Sequence, residues 1–161
     1  MDKSKEKIIK ALNEDLEKEM AGIVRYLHHS FIIFGPHRGP LVQMFRTQAT
    51  ESMNHAILLG EKITALGGHP TVKVEQVFEP GHQTVEDMLA EDLKAEKLQL
   101  ELYTKQLKGF GEENLPMKLM LEQIIINEQQ HVEEIEKYLR TSNEELLVFD
   151  GHSKKTTPYL S

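Results

Sequence analysis

The sequence predicts an all-α fold in which four long helices form a single bundle. Residues that favour helix, chiefly Ala, Leu, Ile, Met, Glu, Lys and Gln, are abundant among the 161 residues. Clusters of glycine and proline divide the chain into four long segments, and apolar residues recur within each segment at steps of three or four. We expect one domain over residues 1–161, with the bundle at about 5–139 and a C-terminal extension at 140–161.

The first two segments are predicted to form an antiparallel hairpin. The first helix spans about residues 5–34 and stops at a tight turn, 35–40, which holds two glycines and two prolines. The second helix spans about residues 41–66 and ends at 67–70, where two glycines are followed by a histidine and a proline.

The last two segments are predicted to form a second hairpin. After a partly extended connection at 71–82, the third helix starts at Thr84, with Asp87 placed to complete a capping box. It ends near 109–111, and the fourth helix spans about 115–139. Because each short turn makes its own pair of helices antiparallel, the long connection has to cross the length of the bundle.

The C-terminal extension is expected to hold a short helix near residues 144–148. The last ten residues are expected to form a loose tail.

Composition excludes several classes of protein. The chain has no cysteine, which removes disulfides and thiolate metal sites and fits a cytoplasmic location. Residues 1–10 are charged and contain no long apolar run, so neither a signal peptide nor a membrane span is expected. The net charge is −7 and lysine clusters occur only near the chain ends, so nucleic acid is not an expected partner.

Ionisable residues interrupt the apolar stripe of every predicted helix. Burying an unpaired carboxylate is costly, so a pair of divalent metal ions would explain several carboxylates at core positions. Oxygen and imidazole nitrogen ligands suit iron or manganese, and zinc stays an alternative. The competing interpretation is that the glutamates are solvated and the histidines are ordinary core residues. The residues concerned are Glu19, Glu51 or Ser52, His55, Glu96, Glu128 and His131.

The depth of these residues in the bundle favours a shared site. Glu19 and His55 each lie 18 residues from the centre of the first turn, and Glu96 and Glu128 each lie 16 residues from the centre of the second. At about 1.5 Å per residue, all four lie about 25 Å from their hairpin tips. Four separate helices are therefore predicted to bring polar residues to one level.

At these residues the sequence resembles the bacterioferritin branch of the ferritin-like superfamily. The resemblance covers about residues 11–139 and is strongest at 19–28, 53–56 and 128–131. It implies the ferritin-like bundle with its long crossover, and a di-iron centre held by one glutamate from each of two helices and a Glu-x-x-His pair from each of the others. The ligands carried over by this resemblance are Glu19, His55, Glu96, Glu128 and His131.

One position departs from the family pattern. Three residues before His55 the chain has Ser52, where the family has a bridging glutamate. Glu51 lies four residues before His55, and residues four apart share a helix face, so we predict Glu51 as the sixth ligand. A helical bulge could also restore the register. The alternative is a weakened or asymmetric site.

The resemblance implies roles for two further residues. Tyr26 lies two turns after Glu19 and corresponds to a tyrosine that can supply an electron to the irons; a core tyrosine is the alternative. Met53 lies where bacterioferritins have their haem methionine, although packing is the commoner role of methionine. Four other histidines are predicted to be surface or interface residues: His28, His29, His69 and His82.

The function that the resemblance implies is a ferroxidase. Such a protein oxidises Fe(II) with dioxygen or peroxide and stores or detoxifies the iron, in a large cage of the 24-subunit type. The first alternative is a rubrerythrin-like peroxidase or another di-iron oxidase that acts as a dimer without a cage, reduced to its bundle because a rubrerythrin iron domain needs cysteine. The second is a DNA-protecting miniferritin, and the third is a purely structural bundle.

Overall fold

A computed structural model describes residues 3–78, 84–142, 147–148 and 157–158 of the chain. Four long helices form the bundle that the sequence predicts, and the predicted helix ends lie within three residues of the observed ones. A single 3-10 turn, Glu112–Asn114, precedes the last helix. The helices are α1 Lys3–Ile32, α2 Arg38–Ala65, α3 Val85–Gly109 and α4 Leu115–Ser142.

Local signals explain where the helices begin and end. At the end of α2, Gly67 adopts a φ of 76°, which glycine reaches without strain, and the Gly68 amide donates to the Ile63 carbonyl at 2.9 Å. At the start of α3, the Thr84 hydroxyl accepts from the Asp87 amide and the Asp87 side chain accepts from the Thr84 amide. The capping box predicted there is therefore confirmed.

The long connection between the two hairpins lies beside α1. The Thr71 amide donates to Oδ1 of Asn13 at 2.7 Å, and the Glu75 amide donates to the Glu17 carbonyl at 3.1 Å. These bonds satisfy backbone groups of an irregular segment that would otherwise depend on water. They hold the connection against α1 while it crosses the length of the bundle.

The C-terminal extension differs from the predicted short helix at the two residues described there. Leu147–Val148 forms strand β1, which pairs in antiparallel fashion with strand β2, Thr157–Pro158. This pairing joins residues nine and eleven apart, so no local helical pattern reveals it. Residues 144–146, and the predicted tail apart from β2, lie outside the described residues.

The core consists of two apolar clusters separated by a polar level. One cluster is centred on Leu12, Leu59 and Leu121, and the other on Phe45 and Ile135. Buried glutamate and histidine side chains from all four helices meet between them. Within the described part of the chain, no helix is both long enough and apolar enough to cross a membrane.

Candidate metal centre

Five ionisable side chains meet at the polar level between the two clusters. Glu19, His55 and Glu128 form one group, and Glu96, Glu128 and His131 form a second. Within each group, one ligand atom from every residue lies within 4.8 Å of the others. All five residues are buried. The fold thus brings these five residues to one depth in the bundle, as their spacing predicts.

Glu128 belongs to both groups and faces one histidine with each oxygen. Its Oε1 lies 2.9 Å from Nδ1 of His55, and its Oε2 lies 3.8 Å from Nδ1 of His131. Oε1 of Glu19 lies 3.3 Å from the same His55 nitrogen. A carboxylate with one oxygen toward each of two ligand sets can bridge two metal ions.

Unpaired buried atoms show that the donor set fits a metal. Nδ1 of His55 is close to Glu128 but has no partner in hydrogen-bond geometry, and Oε2 of Glu96 has none either. Buried polar atoms are normally satisfied, so such orphans call for an explanation. Carboxylate oxygen and imidazole nitrogen suit iron, manganese or zinc as coordinating atoms. Both unpaired atoms are of these two kinds.

Without metal, protonated groups of the site pair with its carboxylates. Burial opposes a charged imidazole, but the ion pairs with Glu128 and Glu19 outweigh it and raise the pKa of His55 to about 10. Burial raises the pKa of Glu19, and it raises the pKa of Glu96 well above the usual range. Burial also acts on Glu128, but its close polar contacts with Glu96, His131 and His55 hold its pKa below its ordinary value. Metal binding therefore has to displace protons, so affinity should weaken as pH falls.

The far ring nitrogens of the two histidines have partners of their own. Nε2 of His55 contacts the Asn127 amide at 3.3 Å, and Nε2 of His131 contacts Oε2 of Glu51. Such outer partners fix the orientation of each ring, and the Nδ1 atoms face the oxygens of Glu128. Glu51, predicted as the sixth ligand, thus lies on the outer side of His131 and outside both ligand groups. Residues 51–55 form unbroken α-helix, so the helical bulge considered from the sequence is not present there.

Replacing Glu51 tests which role it has. We expect Glu51→Gln to weaken Zn(II) or Co(II) binding by about 10- to 100-fold while leaving the number of bound ions unchanged, because the change removes only the anionic partner of His131. Calorimetry on metal-free protein measures both quantities, and Glu122→Gln, an exposed site on α4, is the matched control. Loss of one ion per chain would instead make Glu51 a direct ligand, and unchanged affinity would give it no role.

Ser52, at the position where the resemblance implied a glutamate, packs against α1. It is buried, and a Cβ added to Gly22 would lie 3.0 Å from its Oγ. Small side chains at both positions let the two helices approach closely. The α2 side of the centre therefore contributes His55 alone to the two ligand groups.

A buried network behind Glu96 was not predicted. The guanidinium of Arg25 lies 2.7 Å from Asp92 and 3.6 Å from Glu96, and it also lies 5.0 Å from the centre of the Tyr26 ring. The Tyr26 hydroxyl donates to Oε1 of Glu96, as expected of a tyrosine beside the site. His29 contacts Asp92 at 3.0 Å and is 1% exposed, so its prediction as a surface or interface residue is wrong. Asp92 lies about one helical turn before Glu96, and this spacing could have indicated that Asp92 belongs to the same network.

A second tyrosine contacts the other ligand group. The Tyr103 hydroxyl donates to Oε1 of Glu19 at 2.6 Å, and the Gln99 amide donates to the same oxygen at 2.8 Å. Tyr103 was not predicted as a residue of the site. The signal that could have found it is its spacing of seven residues from Glu96, which repeats the spacing from Glu19 to Tyr26.

Other predicted positions lie away from the ligand groups. Met53 is on the outer face of α2 and 45% exposed. Haem binding at Met53 stays a prediction. Among the remaining predicted surface histidines, His69 is exposed, His28 is half-buried and His82 lies outside the described residues.

A cleft between α2 and α4 reaches the site from outside. Its volume is about 440 Å³, and Gln48, Glu51, His131 and Glu134 are among the residues that line it. The cleft reaches the candidate centre at the point where Glu51 contacts His131. Its acidic and imidazole groups suit a passing cation.

The fold and the site together define a class of protein: a four-helix bundle with a buried, carboxylate-rich candidate site for metal ions. The family model of the ferritin-like domain matches residues 9–144. The chain therefore belongs to the ferritin-like family. No curated protein matches it.

Solved structures of similar proteins agree with this assignment. A ferritin-like, diiron-carboxylate protein from Bacillus anthracis is 31% identical, with a TM-score of 0.78 over 86% of this chain and 99% of that one. A bacterioferritin from Desulfovibrio desulfuricans, whose diiron site was seen in different catalytic states, is 28% identical, with a TM-score of 0.80 over 86% of this chain and 81% of that one. The resemblance to bacterioferritins is thereby confirmed.

A more distant structure shows the same fold. The dodecameric thioferritin from Bacteroides fragilis is 18% identical, with a TM-score of 0.79 over 86% of this chain and 88% of that one.

Proposed function

We propose that the protein is a ferroxidase that binds two Fe(II) ions as substrate and oxidises them with dioxygen or peroxide. The observation that carries this proposal is the position of Glu128, whose two oxygens face His55 and His131 at the meeting point of two buried ligand groups. Two metal ions held by one shared carboxylate can act together on one oxidant. Iron is the metal named in the two relatives that are more than a quarter identical.

Each ligand has a definite role in this proposal. Glu19 and His55 hold one ion, Glu96 and His131 hold the other, and Glu128 bridges them. Carboxylates stabilise the higher charge of the ferric product, because negative ligands in a water-poor site interact strongly with added positive charge. The apolar clusters on either side keep bulk water out of the centre.

The cleft between α2 and α4 supports a route for Fe(II) into the site. Its lining residues Glu51 and Glu134 attract cations, and Glu51 touches the ligand His131. An ion that enters there reaches the second ligand group first. Glu51 then both guides the ion and orients the ring that binds it.

Storage of the oxidised iron requires many copies of the chain, and we propose that the protein is a homo-oligomer. The outer face of the first hairpin supports this, because large apolar side chains are exposed on it at helical spacing. On α1 these include Val24 and Phe31, and on α2 they include Met53 and Ile57. A large cage, as the resemblance implies, and a dimer remain the two forms to distinguish.

Aerobic titration of the metal-free protein with Fe(II) tests the proposal directly. We expect rapid ferric absorbance up to about two Fe(II) per chain, because each ligand group holds one ion. Particle mass, measured on the same sample, separates a large particle that continues to take up iron from a dimer that stops at two. Oxidation no faster than in buffer alone would contradict the ferroxidase proposal.

A further inference from the structure

The two tyrosines beside the metal centre are related by an antiparallel repeat. On α1, Tyr26 follows Glu19 by seven residues, and on α3, Tyr103 follows Glu96 by seven residues. Tyr26 bonds to Glu96 and Tyr103 bonds to Glu19, so the contacts run in opposite order along the two helices. Each terminal glutamate of the centre therefore accepts a hydrogen bond from a phenol on the opposite helix.

Both phenols are enclosed, and each donates a hydrogen bond to a buried glutamate. Tyr26 is 1% exposed and Tyr103 is 0% exposed. The Tyr103 hydroxyl lies 2.6 Å from Oε1 of Glu19, which is placed to take its proton.

From this geometry we infer that Tyr103 is a second one-electron donor to the dioxygen reaction at the metal centre, alongside Tyr26. The inference rests on the proposed ferroxidase function. Each phenol would lose one electron to the oxidant and pass its O–H proton to the carboxylate it contacts, Glu19 for Tyr103 and Glu96 for Tyr26. The carboxylate would then release that proton to the reduced oxygen. The product is a neutral tyrosyl radical in both positions.

The electron balance explains why two donors are useful. Reduction of one dioxygen to two waters takes four electrons and four protons. Two Fe(II) supply two electrons, and Tyr26 and Tyr103 supply one electron and one proton each. Solvent supplies the other two protons. One dioxygen can then be reduced fully by one pair of Fe(II), without release of hydrogen peroxide.

The surroundings favour Tyr103 as the easier donor. Its charged neighbours are the carboxyl groups of Glu19 and Asp15. Tyr26 has carboxylates nearby as well, but the guanidinium of Arg25 lies over its ring at 5.0 Å. A positive charge at that distance opposes removal of an electron, because the ring becomes more positive as the electron leaves.

The test compares the wild type with Tyr103→Phe, Tyr26→Phe, the double variant and the control Tyr138→Phe. Tyr138 is half-buried on α4 and lies outside the ligand groups. Metal-free protein with ring-deuterated tyrosine is loaded with two Fe(II) per chain, mixed with dioxygen and frozen for electron paramagnetic resonance. Hydrogen peroxide is measured in parallel, and Zn(II) binding is measured by calorimetry on the metal-free proteins.

We expect a tyrosyl signal in the wild type and in Tyr138→Phe that Tyr103→Phe loses in large part. Peroxide release should rise in each single variant and approach one per dioxygen in the double variant. Zn(II) binding should be unchanged, because Gln99 still donates to Glu19 in Tyr103→Phe.

Four results would overturn the inference. A wild type that oxidises Fe(II) rapidly without a tyrosyl signal, or a Tyr103→Phe variant equal to wild type in signal and peroxide, would refute it while leaving the ferroxidase function intact. Loss of Zn(II) binding in Tyr103→Phe would make Tyr103 a positioning residue only. Failure of the wild type to oxidise Fe(II) would refute the proposed function as well.

Discussion

Glu128→Gln is expected to lower the rate of Fe(II) oxidation at least about 100-fold. Loss of a residue that only orients a ligand costs about 10- to 100-fold, and Glu128 is the shared member of both ligand groups. The amide keeps the size of the side chain but cannot offer a negatively charged oxygen to each metal ion. Stopped-flow measurement of ferric absorbance under air gives the rate.

The control for Glu128→Gln is Glu122→Gln, which changes an exposed carboxyl on the same helix. It should oxidise Fe(II) at the wild-type rate. Without metal, Glu128→Gln also loses the ion pairs with His55 and His131, and removing one member of a buried pair costs about 3–5 kcal/mol. Circular dichroism therefore has to show that the variant is folded. A folded Glu128→Gln that oxidises Fe(II) normally would exclude the bridging role.

Asp15→Asn is expected to remove a large pH dependence of stability. Asp15 is 0% exposed, its Oδ1 accepts from Gln106 at 2.9 Å and its Oδ2 has no partner. Burial, reinforced by Glu19 and opposed by the Gln106 bond, raises its pKa from 3.8 to about 7. The folded protein thus binds more protons than the unfolded chain between these values, so stability falls as pH rises from about 4 to about 7.

Urea unfolding of metal-free protein at pH 5 and pH 8 measures this effect. Between these two pH values, we expect the wild type to lose about 3 kcal/mol of unfolding free energy relative to Asp15→Asn. Glu101→Gln, at an exposed position on α3, should behave as the wild type does. Equal pH dependence in the wild type and Asp15→Asn would show that the Asp15 carboxyl titrates normally in the fold.

Most of the bundle could be predicted because its signals are local. Glycine and proline fix both hairpin turns. Thr84 and Asp87, which contact each other, are only three positions apart in the sequence. The strand pairing of Leu147–Val148 with Thr157–Pro158 could not be predicted in this way, because it depends on backbone bonds between segments that no helical period connects.

The candidate centre could likewise be predicted only in part. The five residues of the two ligand groups follow from their spacing, their common depth and the family resemblance. Glu51 lies outside both ligand groups and contacts Nε2 of His131 on α4, a contact between helices that its spacing from His55 on α2 does not reveal. Arg25 was missed for a related reason: its long side chain turns inward to Asp92 although its backbone lies at the margin of the apolar stripe.

The sequence by itself therefore determined the helices, the turns and the level at which ionisable residues meet. Helical periodicity decides which side of its own helix a residue occupies, and residue count decides its depth. Only the tertiary structure decided that Tyr103 meets Glu19, that Arg25 meets Asp92 and that Glu51 meets His131. Contacts of this kind depend on how far each helix rotates about its axis against its neighbours, which packing of the whole core sets and no single helix encodes.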